Sequence, residues 1–346
     1  MKRIYIFFFM VLMSFTILQG CSDNNQTTTT THEKDQLVLY TSLFPFEDFA
    51  KKIGGDFVEV ETILPPGADA HTYEPSSKQM IAIANADAFI YNGLGMEAYA
   101  EKISEALANE NVQLMEASHG IDAIEHEEGH VDGHKEGHED GHEDGHEEGH
   151  EDGHEEDHEE GHEDGHEDGH HHHDVDPHIW LDPQHSITIA ENIKNLLAEL
   201  KPEAKEEFEG NFSELKEKLT LLDKEFQDLV ESVDDPEMIV SHAAYGYWEA
   251  RYGIHQIAVA GLSPSNEPSQ KDLEHIIEIA REKQIKYVIF EQNVTPKVAE
   301  IIRQDIGAEP LHLHNLSVRT EGDIEQNEDY FSIMENNIRT LKKAFE

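Results

Sequence analysis

Between Glu125 and His173 a histidine recurs every fourth residue, at His126, His130, His134, His138, His142, His146, His150, His154, His158, His162, His166 and His170, and the run closes on His171, His172 and His173. Glutamate, aspartate and glycine fill the intervals, and residues 125–176 carry 24 carboxylates against one lysine, Lys135. Neutral imidazole is the commonest protein ligand for metals such as zinc, so the tract reads as an auxiliary metal-binding loop; an acidic tail has no need of histidine at fixed spacing. A spacing of four would line the rings along one helix face. The glycine before most of them costs about 1 kcal/mol each in a helix interior, and the like charges repel. With no apolar side chain between Val131 and Val175 to bury, the loop is expected to be disordered without metal. Its His-Glu-Asp-Gly-His pentads, as at 138–142, match a zinc-protease spacing, but that chemistry needs a rigid helix that the glycines deny.

Three isolated histidines stand where a ligand would be held still. His71 lies in the loop 68–75 that follows Pro65-Pro66-Gly67. His178 lies in Asp176-Pro177-His178-Ile179-Trp180-Leu181-Asp182-Pro183, bracketed by prolines, and His242 follows the apolar run 238–240. Singly, each reads as an ordinary loop histidine. Together they make a three-nitrogen site between two halves of the chain, the borderline-soft donor set that favours zinc over manganese or calcium. Three histidines and a water also describe catalytic zinc, which would need a general base; Glu74 and Glu291 are the placed candidates, and neither carries a recognised catalytic pattern.

The elements that must position these residues alternate. Strands are expected at 37–41, 58–64 and 88–91, with helices over 46–53, from Ser76 or Ser77 to Ala84, and over 93–107. Gly93-x-Gly95 reads as a strand-to-helix turn, since the third glycine of a dinucleotide loop is missing. Helical spacing then covers 186–200 and 202–233, the second about 45 Å long and shaped as a connecting strut. Strands at 238–240, 257–259, 287–290 and 311–313 follow, with helices ending at Lys283, over 296–306 and over 330–345. This alternation predicts an α/β fold with mainly parallel sheets flanked by helices, and ligands beyond the strands' carboxyl ends.

Lys2 and Arg3 before the apolar run 4–18 mark residues 1–20 as an export signal, too short to be a comfortable membrane span. Small residues before Cys21, the only cysteine, resemble a bacterial lipobox, which makes Cys21 the expected lipidation site and rules out a disulfide framework. Residues 21–36 read as a flexible tether. By size, the remainder divides into a first lobe at 37–200 that contains the acidic loop 125–176, a linking helix at 201–235 and a second lobe at 236–346. A formal charge of −49 with no basic patch argues against nucleic acid and raises the local concentration of cations.

The order and spacing of Leu64-Pro65, His71-x-x-Glu74-Pro75, the motif 176–183, Ser241-His242-Ala243-Ala244-Tyr245-Gly246-Tyr247 and Gly261-Leu262-Ser263-Pro264 with Glu267-Pro268 resemble the zinc-binding lipoproteins of bacterial zinc ABC importers, the adhesin-like, cluster A-I class of solute-binding proteins. The resemblance covers nearly the whole mature chain. It implies two lobes joined by one long rigid helix, Zn2+ held between them by His71, His178 and His242, and a monomer anchored on the extracytoplasmic face of the membrane. Its partners would be a zinc ABC permease and its ATPase. It also implies a fourth ligand, an Asp or Glu, from the loop after the last strand. Here that loop reads Leu311-His312-Leu313-His314-Asn315-Leu316-Ser317, so the fourth position falls to Asn315, His314 or His312, to Glu291, or to water. A surface adhesin, a zinc store and a zinc hydrolase are the competing readings.

Overall fold

In the computed structural model, which describes residues 36–107, 110–126, 174–292 and 296–346, the chain builds the same small sheet twice. The first holds β1 (Leu37–Thr41), β2 (Val58–Thr62), β3 (Ala88–Tyr91) and β4 (Gln113–Glu116) in the order β2-β1-β3-β4, all neighbours parallel. Later in the chain come β5 (Glu125–His126) and β6 (Asp174–Val175), a short antiparallel pair at the two ends of the His-rich loop. The second sheet holds β7 (Glu237–His242), β8 (His255–Ala260), β9 (Tyr287–Glu291) and β10 (Glu309–Leu313) in the order β10-β9-β7-β8, again all parallel. Counted within its own sheet, each order is second, first, third, fourth. The α/β class expected from the alternation is what the chain forms.

Helices α1 (Phe44–Gly54), α2 (Ser77–Ala84) and α3 (Ala100–Leu107) belong to the first round; α4 (Pro183–Leu200) and α5 (Lys205–Val230) follow the loop. The second round supplies α6 (Gly246–Tyr252), α7 (Gln270–Glu282), α8 (Lys297–Ile306), α9 (Glu321–Glu325) and α10 (Tyr330–Ala344). Their starts are written locally. Ser76 and Gln79 form a reciprocal capping box on α2, Ser269 and Asp272 do so on α7, and Asp182 caps α4 with Pro183 in its first turn, each satisfying amide groups that a helix leaves unpaired. The long helix α5 has 26 residues, about 39 Å at the usual rise. It is no bare strut: Phe208, Phe212, Leu215, Leu219, Leu222 and Phe226 form a buried stripe against α1, α4 and α10.

Alternation along the central strands divides the second sheet between two apolar clusters. Val240 and Ile289 face the main core, which runs through α4 and α5 to the first sheet, while their chain neighbours Ile239, Val288 and Phe290 face the smaller cluster under α7 and α8. Successive strand residues point to opposite faces, so both faces of the sheet are covered, as a parallel sheet requires.

The helix expected over 93–107 starts only at Ala100. Gly93, Leu94 and Gly95 take positive φ in succession, at 83°, 54° and 73°, and the Glu97 carboxylate accepts the Asn92 and Gly93 amides at 2.7 and 3.2 Å, so a turn stands where periodicity suggested a helix. The export signal 1–20, Cys21, almost all of the tether 21–36 and the loop histidines from His130 to His173 lie outside the described residues, as does the His126 side chain. Among the described residues no helix is long and apolar enough to cross a membrane.

Candidate metal centre

In each sheet the strand order reverses between the first and third strands, β1 beside β3 and β7 beside β9. Ligands of such sheets sit beyond the carboxyl ends at that reversal. His242 is the last residue of β7 and Glu291 the last of β9, so the second sheet delivers both to its own reversal point. From the first sheet, Asn92 follows β3 and donates its Nδ2 to the Pro177 carbonyl at 2.9 Å, which fixes the residue before His178. His71 arrives on the loop between β2 and α2.

The ring nitrogens of His71, His178 and His242 offer ligand atoms that all lie within 4.8 Å of one another. The Nε2 atoms of His71 and His178 are 3.3 Å apart; two nitrogens sharing a tetrahedral zinc at the usual bond length stand about 3.3 Å apart. His178 and His242 are each 1% exposed, and His71 is half-buried. Burial first, then the neighbouring His178 and His242, push the His71 imidazole down to about 3, against the opposing pull of Asp69 and Glu291. Its ring is therefore neutral at physiological pH, with no proton to displace before it can bind a metal.

Carboxylates stand behind these rings. Asp176 Oδ1 accepts the His178 amide at 2.9 Å and faces its Nδ1 at 2.8 Å, which holds the proton on Nδ1 and leaves the Nε2 lone pair for the cluster. Asp69 Oδ1 accepts the His71 amide at 3.0 Å, the same Asp-x-His turn. Glu291 Oε1 lies against His242 Nδ1, while His242 Nε2, fully buried, has no hydrogen-bond partner among the described residues. Burial acts to raise the Glu291 carboxyl, but His242, His178 and His71 outweigh it and hold it below the usual carboxylate range. A buried imidazole nitrogen left without a partner beside two others is the arrangement a cation completes.

Of the sequence's protein candidates for a fourth ligand, His314 and Asn315 have their donor atoms engaged elsewhere. His314 has both ring nitrogens engaged, Nδ1 by the Leu316 amide at 2.9 Å and Nε2 by Asp323 at 3.1 Å. His312 is exposed. Asn315 Oδ1 accepts from the Ser317 amide, the Ser317 hydroxyl and Gln292 Nε2 at 3.1, 2.9 and 3.2 Å. Glu291 lines the cavity, but its two oxygens lie against His242 and, at 2.5 Å, Asn315 Nδ2. The cavity beside the His71 and His178 rings measures about 20 Å³ and is also lined by Asp69, Met96, Trp180, Asn315 and Ser317, room for about one water.

The motif 176–183 does more than carry a ligand. Trp180 Nε1 donates to the Asn315 carbonyl at 2.7 Å, Trp248 Nε1 to the Leu181 carbonyl at 2.8 Å, and Tyr247 to the Asp176 carbonyl at 2.7 Å. Arg251 pairs with Asp182 at 2.6 Å. Residues from the second round of the fold thus grip the segment that holds His178. For Asp69 and Asp176 the sequence carried the Asp-x-His spacing, which also recurs six times in the loop 127–173; for Glu291 and for the long-range grip it carried no local signal.

The family described as zinc-uptake complex component A, periplasmic, matches residues 39–344. The zinc-binding lipoprotein AdcA of Streptococcus pneumoniae is 31% identical over 330 residues, 94% of this chain and 58% of its own length, so the chain spans little more than half of that relative. The high-affinity zinc uptake system protein ZnuA of Bacillus subtilis is 30% identical over 340 residues, 97% of this chain and 96% of its own. The Zn(II)-bound ZnuA-like domain of Streptococcus pneumoniae AdcA superposes with a TM-score of 0.68 at 28% identity, over 90% of this chain and 99% of that domain.

Proposed function

Since the chain belongs to the zinc-uptake complex component A family, we propose that it is an extracytoplasmic receptor that captures Zn2+ and delivers it to an ABC permease driven by a cytoplasmic ATPase. It catalyses no reaction. The observation that carries this reading is the convergence of His71, His178 and His242, with carboxylates holding the outer nitrogens of His178 and His242. Three imidazole nitrogens with one water in the small cavity make the tetrahedral set that suits zinc. The oxygen-seeking cations are poorly served by it.

Capture and release follow from where the ligands come from. His178 and His71 belong to the first half of the fold and His242 to the second, so a tilt of one lobe against the other separates the donors and lets the ion go. A zinc hydrolase needs a base beside the bound water; Glu74 is exposed and Glu291 is engaged by His242 and Asn315. In the full reading the chain is a monomer, anchored through lipidated Cys21, with the loop histidines from His126 to His173 gathering zinc near the entrance. Growth of a strain lacking the chain tests the account. In zinc-depleted medium the wild-type gene should restore growth and a His242→Ala gene should not; equal growth with and without the chain would favour an adhesin or a store.

A further inference from the structure

Asn315 touches both halves of the centre without offering it a donor atom. Its backbone carbonyl receives the Trp180 indole at 2.7 Å, two residues beyond His178. Its side-chain Nδ2 donates at 2.5 Å to Glu291 Oε2, and the other oxygen of that carboxylate lies against His242 Nδ1. The orientation of the amide is set by its partners: the Ser317 amide at 3.1 Å can only donate, so the atom it meets is Oδ1, and the carboxylate at the other end needs a donor. Gln292 closes the arrangement from the end of β9, accepting the Asn315 amide at 3.1 Å and donating to Oδ1 at 3.2 Å.

We propose that Asn315 is a positioning residue for zinc capture: its amide fixes the Glu291 carboxylate, Glu291 keeps the His242 proton on Nδ1, and the His242 Nε2 lone pair is thereby presented to the ion. This rests on the three-histidine reading above. A neutral imidazole divides its proton between two nitrogens, and only the form protonated on Nδ1 can bind zinc through Nε2. Outer partners of ligating histidines commonly change metal affinity by about 10- to 100-fold. Because the Trp180 bond goes to the Asn315 backbone, a side-chain substitution leaves that link between the halves in place.

Asn315→Asp separates this role from that of a ligand. An aspartate as a fourth ligand would tighten zinc binding; an aspartate in place of the amide removes the donor to Glu291 and sets two carboxylates against each other. The experiment measures zinc affinity by chelator competition in the full mature chain for wild type, Asn315→Asp, Asn315→Ala and Asn315→Gln, together with the His242 tautomer from nitrogen NMR of the metal-free forms. The expected result is about a tenfold or greater loss in Asn315→Asp and Asn315→Ala, with His242 shifting from the Nδ1-protonated form towards a mixture. Unchanged affinity, tighter binding in Asn315→Asp, or weaker binding with an unaltered His242 tautomer would each overturn the proposal. His242→Ala is the control: if it keeps tight binding, the three-histidine reading has failed, whereas loss there with no Asn315 effect sinks only this inference.

Discussion

Among the described residues the pair Asp-x-His occurs at Asp69-His71 and at Asp176-His178, and in both the aspartate accepts the histidine's own amide, at 3.0 and 2.9 Å. A short acidic side chain that bonds two residues ahead fixes the local turn and so the direction of the ring. At His178 the same oxygen also holds Nδ1. Asp176→Asn is therefore expected to weaken zinc binding by about 10- to 100-fold in chelator competition; an unchanged affinity would show that the turn alone places the ring. A second consequence concerns acid. The unfolded chain protonates His71 below about pH 6.5, whereas the folded chain holds it neutral down to about 3. The unfolded state then binds more protons, so stability rises with pH across that interval and is lost as pH falls. From about pH 7 to about pH 5 the metal-free wild type should lose on the order of 1–2 kcal/mol more than His71→Ala in urea unfolding; equal losses would contradict it. The three histidines that converge were legible because each stands alone after a strand or between prolines. The contacts of Asn315 with Glu291 and Trp180 were not, because they span 24 and 135 residues, beyond any local pattern.

Elements carry the three histidines to their places, and Gly246 marks where two of those elements meet. A Cβ there would stand 2.5 Å from Asp176 Oδ2 and 3.0 Å from Ile124 Cδ1, so the start of α6 can approach the His178 motif only as glycine. Gly246→Ala should cost about 1–3 kcal/mol through overpacking and weaken zinc binding by displacing Asp176; thermal unfolding and a zinc titration of the variant check both parts. On α5, Leu219 is fully buried, and Leu219→Ala should destabilise by about 2–5 kcal/mol without touching the ligands. Long periodic elements such as α4, α5 and α10 could be read from spacing, since their apolar stripes repeat over several turns. The helix over 93–107 was over-extended because hydrophobic spacing carries no record of the positive φ at Gly93, Leu94 and Gly95. Strand β4 and the short helices α6 and α9 went unread: four to seven residues give too few repeats to declare a period.

At the scale of the molecule, two sheets of identical strand order face their reversal points to a common centre, and the chain crosses between them through α5. The acidic loop is inserted between β5 and β6, immediately before the Asp176-His178 turn. In the proposed reading the loop is a separate, weaker reservoir, while the candidate centre draws its histidines from both halves of the fold. Zinc titration by calorimetry with metal analysis of the mature chain is the most direct measurement, made with and without residues 127–173 and with His71→Ala, His178→Ala and His242→Ala. The account predicts one tight zinc per chain, kept when the loop is removed, with only weaker additional binding lost, and abolished or severely weakened by each single substitution. Tight binding that survives all three, or that disappears with the loop, would contradict it and move the chemistry to the histidine repeat.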